Sequence, residues 1–311
     1  MNGFALLALA APLGVVLDRL LGEPRHWHPL DGFGRAITAL ESILRRGAPG
    51  HPLGNRLAGL LAWCLLVLPL VALVFWLQSR LGLWLHIPLL YFALGARSLE
   101  EHALAVARPL AAGDLPQARR TLSWIVSRNT AELDEEAIAR ATVETVLENG
   151  NDAVFATLFW FCIGGGAGAL LFRLANTLDA MWGYKDERRI YFGWAAARLD
   201  DVLGFIPARL TALSYTLLGN TRSAWQCWRR QGRLWSSPNA GPVMAAGAGA
   251  LNLTVGGNAV YHGCEEVRPD LGQGPRAKAG DIVRALDLVR RGLWLWLAVI
   301  VVLGILLGGK P

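Results

Sequence analysis

Oxygen-bearing side chains lie at both ends of one long apolar run, residues 153–175. Polar groups beside membrane-like sequence are costly to position unless they serve a function. Oxygen ligands that converge from two chain ends suit Mg²⁺, which prefers carboxylate and amide oxygens. The candidate catalytic residues at the two ends are Glu144, Glu148, Asn149, Asp152, Asn176 and Asp179.

The sequence "DEEAIARATVETVLEN" before this run predicts a helix that begins at Asp134. Arg140, Glu144 and Glu148 recur every four residues. Asp152 continues the spacing, so one helix face carries three carboxylates in a row. Like charges at this spacing destabilise a helix by roughly 0.2–0.5 kcal/mol per pair, which a bound cation would offset. The alternative is a solvated face on which Arg140 pairs with Glu144.

Further charged groups follow the apolar run. Lys185 is a point charge suited to phosphate, and an interfacial lysine is the alternative. In "ARLDD", Arg198 could contact a nucleotide, although a helix cap with an ion pair explains the segment equally well. The predicted metal ligands are Asp152, Asp179, Asp200 and Asp201.

The segment "SSPNAG" adds Ser237 and Asn239 as candidates for cofactor binding. Backbone amides of such a turn can hold an anion, but a plain loop into a close-packed helix is the alternative. The chain has no G-x-x-x-x-G-K-[ST] motif, so any nucleotide is bound in another way. Its four cysteines show no paired spacing, which supports neither a zinc site nor a disulfide framework.

The composition indicates a membrane protein with sizeable polar segments. Hydrophobic residues make up 53% and charged residues 17% of 311 residues, too apolar for an ordinary soluble domain. We treat the chain as a single membrane-embedded domain, 1–311. Predicted spans are 4–17, 57–77, 81–95 and 293–308, with less clear apolar stretches at 153–175, 202–218 and 241–256.

The positive charges lie in loops and predict topology rather than nucleic-acid binding. The arginine-rich loops 22–56 and 219–240 should be cytoplasmic, and so should three amphipathic helices within 96–152. Asp114, followed by Pro116, is predicted to begin one of these helices. The chain between the cytoplasmic segments 96–152 and 219–240 must then cross the membrane an even number of times. Glycines at the centre of 153–175 and Pro207 in the next stretch suggest broken or re-entrant helices. The expected fold is therefore an all-α, polytopic integral membrane protein of the cytoplasmic (inner) membrane.

Seven segments in order resemble the CobD/CbiB family of cobalamin biosynthesis, the adenosylcobinamide-phosphate synthases. The resemblance covers about residues 18–263. One departure is Asn129, where many relatives carry an acid, so the resemblance gives no metal ligand there. The segments are "DRLLGEPRHWHPLDGFGR", "LGARSL", "LSWIVSRNT", "VETVLENGND", "NTLDAMWGYK", "AARLDDVLGFIPARL" and "SPNAGPVMAAGAGAL" with its following "VGG" and "YHG".

The resemblance implies an ATP-dependent ligase that works at the membrane. It would join a propionate carboxylate of adenosylcobyric acid, a corrinoid, to 1-amino-2-propanol or its O-phosphate. Mg²⁺ is the implied cofactor, ATP the co-substrate, and membrane lipid and other cobalamin-pathway enzymes the further partners. The acidic and amide candidates above match the family's motifs residue by residue, without individual roles.

Two other function classes stay open at this point. A transporter also uses broken helices with polar groups at mid-membrane. However, residues 57–77 and 293–308 contain no ionisable acidic or basic side chain, whereas a transporter predicts polar residues along several spans. A non-catalytic membrane scaffold for corrinoid enzymes would bind corrinoid without consuming ATP.

Single cysteines introduced at Asn151, Gly183 and Arg229 should all react with a membrane-impermeant thiol reagent from the cytoplasmic side. The reason is that a re-entrant segment returns the chain to its side of origin. Labelling is compared between spheroplasts and inverted vesicles. If a cysteine at position 183 reacted only from the periplasm, the segment would not be re-entrant and the chain would cross the membrane twice.

Overall fold

A computed structural model of the chain describes residues 3–23, 29–46, 51–183, 189–261 and 264–308. Within these ranges the protein is mainly helical, as the sequence predicts. The helices are α1 (Gly3–Leu21), α2 (Pro29–Arg46), α3 (Pro52–Leu81), α4 (Leu83–Ala93), α5 (Ala96–Ala111), α6 (Leu115–Leu122), α7 (Glu135–Gly150), a π-helix (Asn151–Phe155), α8 (Ala156–Trp182), α9 (Trp194–Leu218), α10 (Thr221–Gln231), α11 (Ala240–Leu251) and α12 (Ala279–Gly308).

Short strands between α11 and α12 were not predicted. Each has three residues, and they form two antiparallel pairs, β1 with β4 and β2 with β3. The apolar stretch predicted at 241–256 is therefore a helix followed by a strand. The strands are β1 (Thr254–Gly256), β2 (Ala259–Tyr261), β3 (Cys264–Glu266) and β4 (Asp270–Gly272).

The protein is a polytopic membrane protein, as its composition predicts. Among the described residues, 4 helical stretches are long and apolar enough to cross a bilayer. They include the predicted spans 4–17, 57–77 and 293–308. The four stretches are α1, α3, Glu135–Trp182 and α12.

The predicted span at 81–95 is wrong. Gly82 ends α3, and Leu94 has extended backbone angles, so α4 is limited to 11 residues. A helix of this length measures about 16 Å, roughly half the hydrocarbon thickness of a bilayer. The even number of crossings inferred for the following segments depended on this span, so their topology stays a prediction.

The three helices predicted in 96–152 are present as α5, α6 and α7, and their cytoplasmic location stays a prediction. Asp114 caps α6, because its Oδ1 accepts a hydrogen bond from the backbone N–H of Gln117 at 3.0 Å. Asp134 caps α7 in the same way, through the N–H of Ala137 at 2.8 Å. Both helix starts were predicted from these aspartates, because a carboxylate satisfies donors that the first turn leaves without partners.

The chain divides into two compact units. The first contains residues 1–95, 156–204 and 299–311, and the second contains residues 96–155 and 205–298. A division into compact units does not show whether each unit folds independently. The single membrane-embedded domain therefore stays a prediction.

The core of the first unit is an aromatic and aliphatic cluster from α2, α3 and α8. Trp182 is fully buried there and packs edge-to-face against Phe192, with ring centroids 4.9 Å apart. Its indole Nε1 donates to Oε2 of Glu41 at 3.0 Å, and Arg189 pairs with the same carboxylate. The end of α8 is thus fixed by both packing and a satisfied buried polar group.

The apolar run 153–175 is broken where its glycines predicted. Gly165 has φ +60° and ψ −145°, a conformation outside the helical region that favours glycine. A Cβ at Gly168 would overlap the carbonyl oxygen of Trp160. These residues would lie about 12 Å apart in an uninterrupted helix. The chain therefore bends back sharply at Gly165, which confirms a broken helix.

Two side chains from neighbouring helices satisfy the backbone at this break. Gln78 of α3 donates through Nε2 to the carbonyl of Gly164 at 3.1 Å and accepts from the N–H of Ala167 at 3.0 Å. Nδ1 of His86 in α4 accepts from the N–H of Gly166 at 3.0 Å. The two side chains replace the helical hydrogen bonds that the break removes.

In the second unit, α7 and the π-helix are held by α9, α11 and α12. The hydroxyl of Tyr215 in α9 donates to the carbonyl of Leu147 at 3.2 Å. The ring of Phe155 packs against Trp296 of α12, with centroids 5.3 Å apart. Every residue of α11 is buried. These contacts fix the face of α7 that carries the predicted carboxylates.

Replacing Gln78 by Leu should lower the melting temperature of the purified protein by roughly 5 °C or more. The reason is that one carbonyl and one N–H lose their partners, each at about 1–3 kcal/mol. The matched control is Gln117→Leu, at an exposed position of α6. Equal melting temperatures for the two variants in detergent would contradict the role of Gln78.

Candidate functional site

The three predicted carboxylates do share one face of the helix that runs from α7 into the π-helix. Glu144 and Asp152 both lie close enough to Glu148 to interact with its charge. The π-helix at 151–155 contains Asp152 itself. Single π-turns within α-helices occur frequently at functional sites. Asn149 is half-buried on the same helix.

Glu144 is enclosed by positive charge. Its Oε2 accepts from Arg128 at 2.8 Å and from Arg268 at 3.3 Å. Its Oε1 accepts from the backbone N–H of Gly256 at 2.8 Å. All three charged side chains are at most 8% exposed. The predicted alternative of a solvated face is wrong because Glu144 is buried, and Arg140 interacts with this carboxylate electrostatically while Arg128 and Arg268 form its ion pairs.

The sequence analysis missed both arginines as site residues. Arg128 lies within the quoted motif "LSWIVSRNT", which could have drawn attention to it. Nothing near Arg268 marked it, because its partner Glu144 is 124 residues away. Arg268 also lies over the ring of Trp235, 4.9 Å from the centroid, and its Nε donates to the carbonyl of Gly257.

The "VGG" motif explains how the strands reach this cluster. Gly256 and Gly257 have φ +81° and +76°, which a residue with a Cβ rarely adopts. Arg140 donates weakly to the carbonyl of Asn258 at 3.5 Å, on the same loop. Its buried Nε has no hydrogen-bond partner among the described residues. Two glycines thus let the backbone approach α7 and donate to Glu144.

The carboxylate Asp152 is held in orientation by its neighbour. Asn151 donates through Nδ2 to Oδ1 of Asp152 at 2.8 Å, and its Oδ1 accepts from the hydroxyl of Thr211 at 2.8 Å. The side chain of Asn151 is buried, so a cysteine there would escape a thiol reagent. The labelling test of topology therefore relies on Gly183 and Arg229.

In the first unit, the structure brings together five predicted residues from α8 and α9. Nδ2 of Asn176 donates to Oδ1 of Asp200 at 3.3 Å. The carboxylates of Asp179 and Asp201 are close enough to interact electrostatically. Arg198 forms an ion pair with Asp201 at 3.5 Å, which agrees with the structural ion pair that the sequence analysis gave as the alternative.

These groups suit Mg²⁺ chemically, because all are hard oxygen donors and Mg²⁺ commonly takes one or two carboxylates plus substrate phosphates and water. Among the described residues, however, no group of three or more His, Cys, Asp or Glu side chains could hold a metal by itself. Asp152 and Asp179 belong to different units. A single ion shared between them stays a prediction.

The "SSPNAG" turn serves as a helix start in the structure. Oγ of Ser237 accepts from the N–H groups of Asn239 and Ala240, at 3.3 and 3.1 Å. Arg209 donates to Oδ1 of Asn239 at 2.7 Å and to the carbonyl of Pro238 at 2.9 Å. The amides that could have held an anion are thus already occupied by Ser237. Lys185, the other phosphate candidate, lies outside the described residues.

Comparison with known proteins agrees with the motifs. The family model of CobD/CbiB proteins matches residues 11–289. The chain belongs to this family. It is 56% identical over 306 residues to cobalamin biosynthesis protein CobD of Chromobacterium violaceum, covering 97% of this chain and 98% of the relative. It is 58% identical over 289 residues to the CobD protein of Stutzerimonas stutzeri, covering 92% and 94%.

A more distant relative, the CobD protein of Geobacter metallireducens, is 44% identical over 278 residues, covering 83% of this chain and 84% of the relative. No solved structure matches the chain. As a member of the CobD/CbiB family, the protein functions in cobalamin biosynthesis. Asn129, which departs from the family's acid, accepts from the N–H of Ala131 at 2.9 Å and so stabilises a turn.

Replacing Glu144 by Gln should destabilise this CobD/CbiB protein strongly, by about 3–5 kcal/mol, because two buried arginines lose their counter-charge. The measurement is thermal unfolding in detergent. Glu132→Gln, at an exposed position before α7, is the control and should melt like the wild type. If Glu144→Gln also melted like the wild type, the two arginines would not depend on Glu144 for their counter-charge, and the prediction would be contradicted.

Proposed function

We propose that this CobD/CbiB protein is an ATP-dependent carbon–nitrogen ligase, an adenosylcobinamide-phosphate synthase. Its substrates would be adenosylcobyric acid and (R)-1-amino-2-propanol or its O-phosphate. The observation that carries the proposal is the row of Glu144, Glu148 and Asp152 on one helix face, beside buried arginines and a π-helix. The names of the relatives support cobalamin biosynthesis as the pathway.

The reaction needs activation of a carboxylate. A carboxylate oxygen of the corrinoid attacks the γ-phosphorus of ATP, the bond to ADP breaks, and an acyl phosphate forms. The amine nitrogen then attacks the acyl carbon, and the carbon–oxygen bond to phosphate breaks. Amide, ADP and inorganic phosphate result, and the attacking ammonium group must lose its protons to bases.

Glu148 is the best candidate for a base. It is half-buried, and among the described residues its side chain makes no hydrogen bond or ion pair. Its neighbours on the same face are engaged, Glu144 by two arginines and Asp152 by Asn151. A positioned base of this kind typically contributes about 10²–10⁴ in rate.

Asp179 and Asp201 would hold Mg²⁺, with Asp200 oriented by Asn176 as a neighbouring oxygen donor. When bound, the ion would neutralise charge on the transferred phosphoryl group. Asp152 is a further ligand expected from the sequence. Lys185 and Arg198 would contact the phosphates, since cations stabilise the same charge. Ser237 and Asn239 would shape the binding surface through the turn that they form.

The site belongs to a protein of the cytoplasmic membrane under this proposal. The basic loops favour the cytoplasmic side for the polar segments, where ATP and corrinoid are supplied. Other enzymes of the cobalamin pathway would be further partners. A ligase would use the carboxylate row, for which neither a transporter nor a scaffold has a need.

The proposal is tested by incubating purified protein with ATP, Mg²⁺, adenosylcobyric acid and aminopropanol or its phosphate. We expect ADP and a corrinoid amide in equal amounts. Asp179→Asn and Asp201→Asn should each raise the Mg²⁺ concentration needed for half-maximal rate, because each removes half of the paired charge. The double variant should add little, since both residues act on one ion.

The control for these variants is Asp114→Asn, which changes a helix cap on α6 and should leave the Mg²⁺ midpoint unaltered. Unaltered midpoints in both site variants, with additive loss of stability, would reduce Asp179 and Asp201 to structural residues. Corrinoid binding without any ATP consumption by the wild type would favour the scaffold instead.

A further inference from the structure

Exposed apolar side chains form a stripe along α9. Ile206, Leu210, Leu213 and Leu217 are 55%, 38%, 40% and 61% exposed. Their spacing of four, three and four residues puts them on one side of the helix. In a polytopic membrane protein, an exposed apolar stripe of this kind lies against acyl chains, because water would penalise it. The stripe ends at Leu217.

Helix α12 marks a polar–apolar boundary at the same level. Its charged turn ends with Arg291, which pairs with Asp287 at 3.0 Å, and its apolar run begins at Leu293. Nη1 of Arg291 donates to the carbonyl of Leu218 at 3.0 Å. The apolar stripe of α9 and the apolar run of α12 thus end beside each other, next to Leu218 and Arg291.

Helix α10 begins three residues after Leu218, at this boundary. Ala224 and Cys227 form its buried face. Arg222, Trp225 and Arg229, spaced three and four residues apart, share the opposite face, which is exposed. Trp225 is 45% exposed, and the guanidinium of Arg229 lies 5.6 Å from the centroid of its ring.

The charge of this face is uncompensated along the chain. Residues 219–240 contain Arg222, Arg229, Arg230 and Arg233 and no acidic residue. The two arginines of the exposed face are seven residues apart, about 10 Å along the helix. If α10 lies along the boundary, both arginines come within about one Debye length of the headgroup layer. Tryptophan is the side chain that prefers this layer.

We propose that α10 is an interfacial helix that binds anionic phospholipid headgroups through Arg222 and Arg229, with Trp225 inserted at the headgroup level. Charge complementarity selects an anionic surface over a zwitterionic one, because no acid of the segment offsets the arginines. The inference is independent of the proposed ligase activity and concerns residues outside the candidate site.

The test uses the full chain in detergent, mixed with equal amounts of phosphatidylglycerol and phosphatidylcholine. Native mass spectrometry measures the ratio of the two lipids retained. Wild-type protein should retain phosphatidylglycerol preferentially. The double variant Arg222→Gln, Arg229→Gln should lose most of this preference, since each arginine near an anionic surface strengthens binding about fivefold and two about thirtyfold.

The control is the double variant Arg108→Gln, Arg120→Gln, which removes the same charge from exposed positions of α5 and α6. It should keep the preference. Trp225→Ala should lower retention of both lipids alike. An unchanged preference in the α10 variant, or an equal loss in the control, would overturn the proposal. A second measurement is binding of inorganic pyrophosphate to the wild type and to the α10 variant. If the variant lost pyrophosphate binding but kept the lipid ratio, the face would be a site for a soluble polyphosphate and the proposal would be overturned.

Discussion

The structure depends on satisfying backbone groups where a helix is broken in apolar surroundings. At Gly165 the regular hydrogen bonds stop, and water is not at hand to replace them. Gln78 and His86 supply the replacements from two other helices. This requirement explains α4: the helix is too short to span a bilayer, but it carries His86 to the break. The interruption of α8 and the brevity of α4 are thus parts of one arrangement.

Buried charge imposes the second constraint. Glu144 would be costly in this environment without partners, and it has two arginines and a backbone N–H. Arg268 and the backbone N–H of Gly256 thereby attach the segment after α11 to α7. Asp152 is oriented in turn by Asn151, which Thr211 holds. Glu148 lies near both of these carboxylates, and among the described residues its side chain makes no hydrogen bond or ion pair.

The carboxylate row lies near the edge of the apolar region. Tyr215 of α9 donates to Leu147, between Glu144 and Glu148, and the exposed apolar stripe of α9 ends two residues later. The row and the end of the stripe are therefore at the same level of the second unit. An interfacial helix beginning at the same level would hold this part of the protein against the headgroups.

Local sequence signals were sufficient for the membrane class, the helix starts at Asp114 and Asp134, the break in 153–175, and the family. Each acts over a few residues: a cap over one turn, an apolar run over its own length, a motif over its own letters. The same signals were misleading for 81–95, because hydropathy measures composition and not where a chain leaves the helix.

Only the tertiary structure decided which charges meet. Arg140 is four residues from Glu144 and was the natural partner by helical spacing, yet Arg128 and Arg268 hold that carboxylate. Likewise His86 satisfies an N–H 80 residues away. An ion pair or a buried hydrogen bond forms wherever packing brings its two groups together and excludes water. The sequence by itself determined which groups need partners, and the packing of distant helices determined which partners they have.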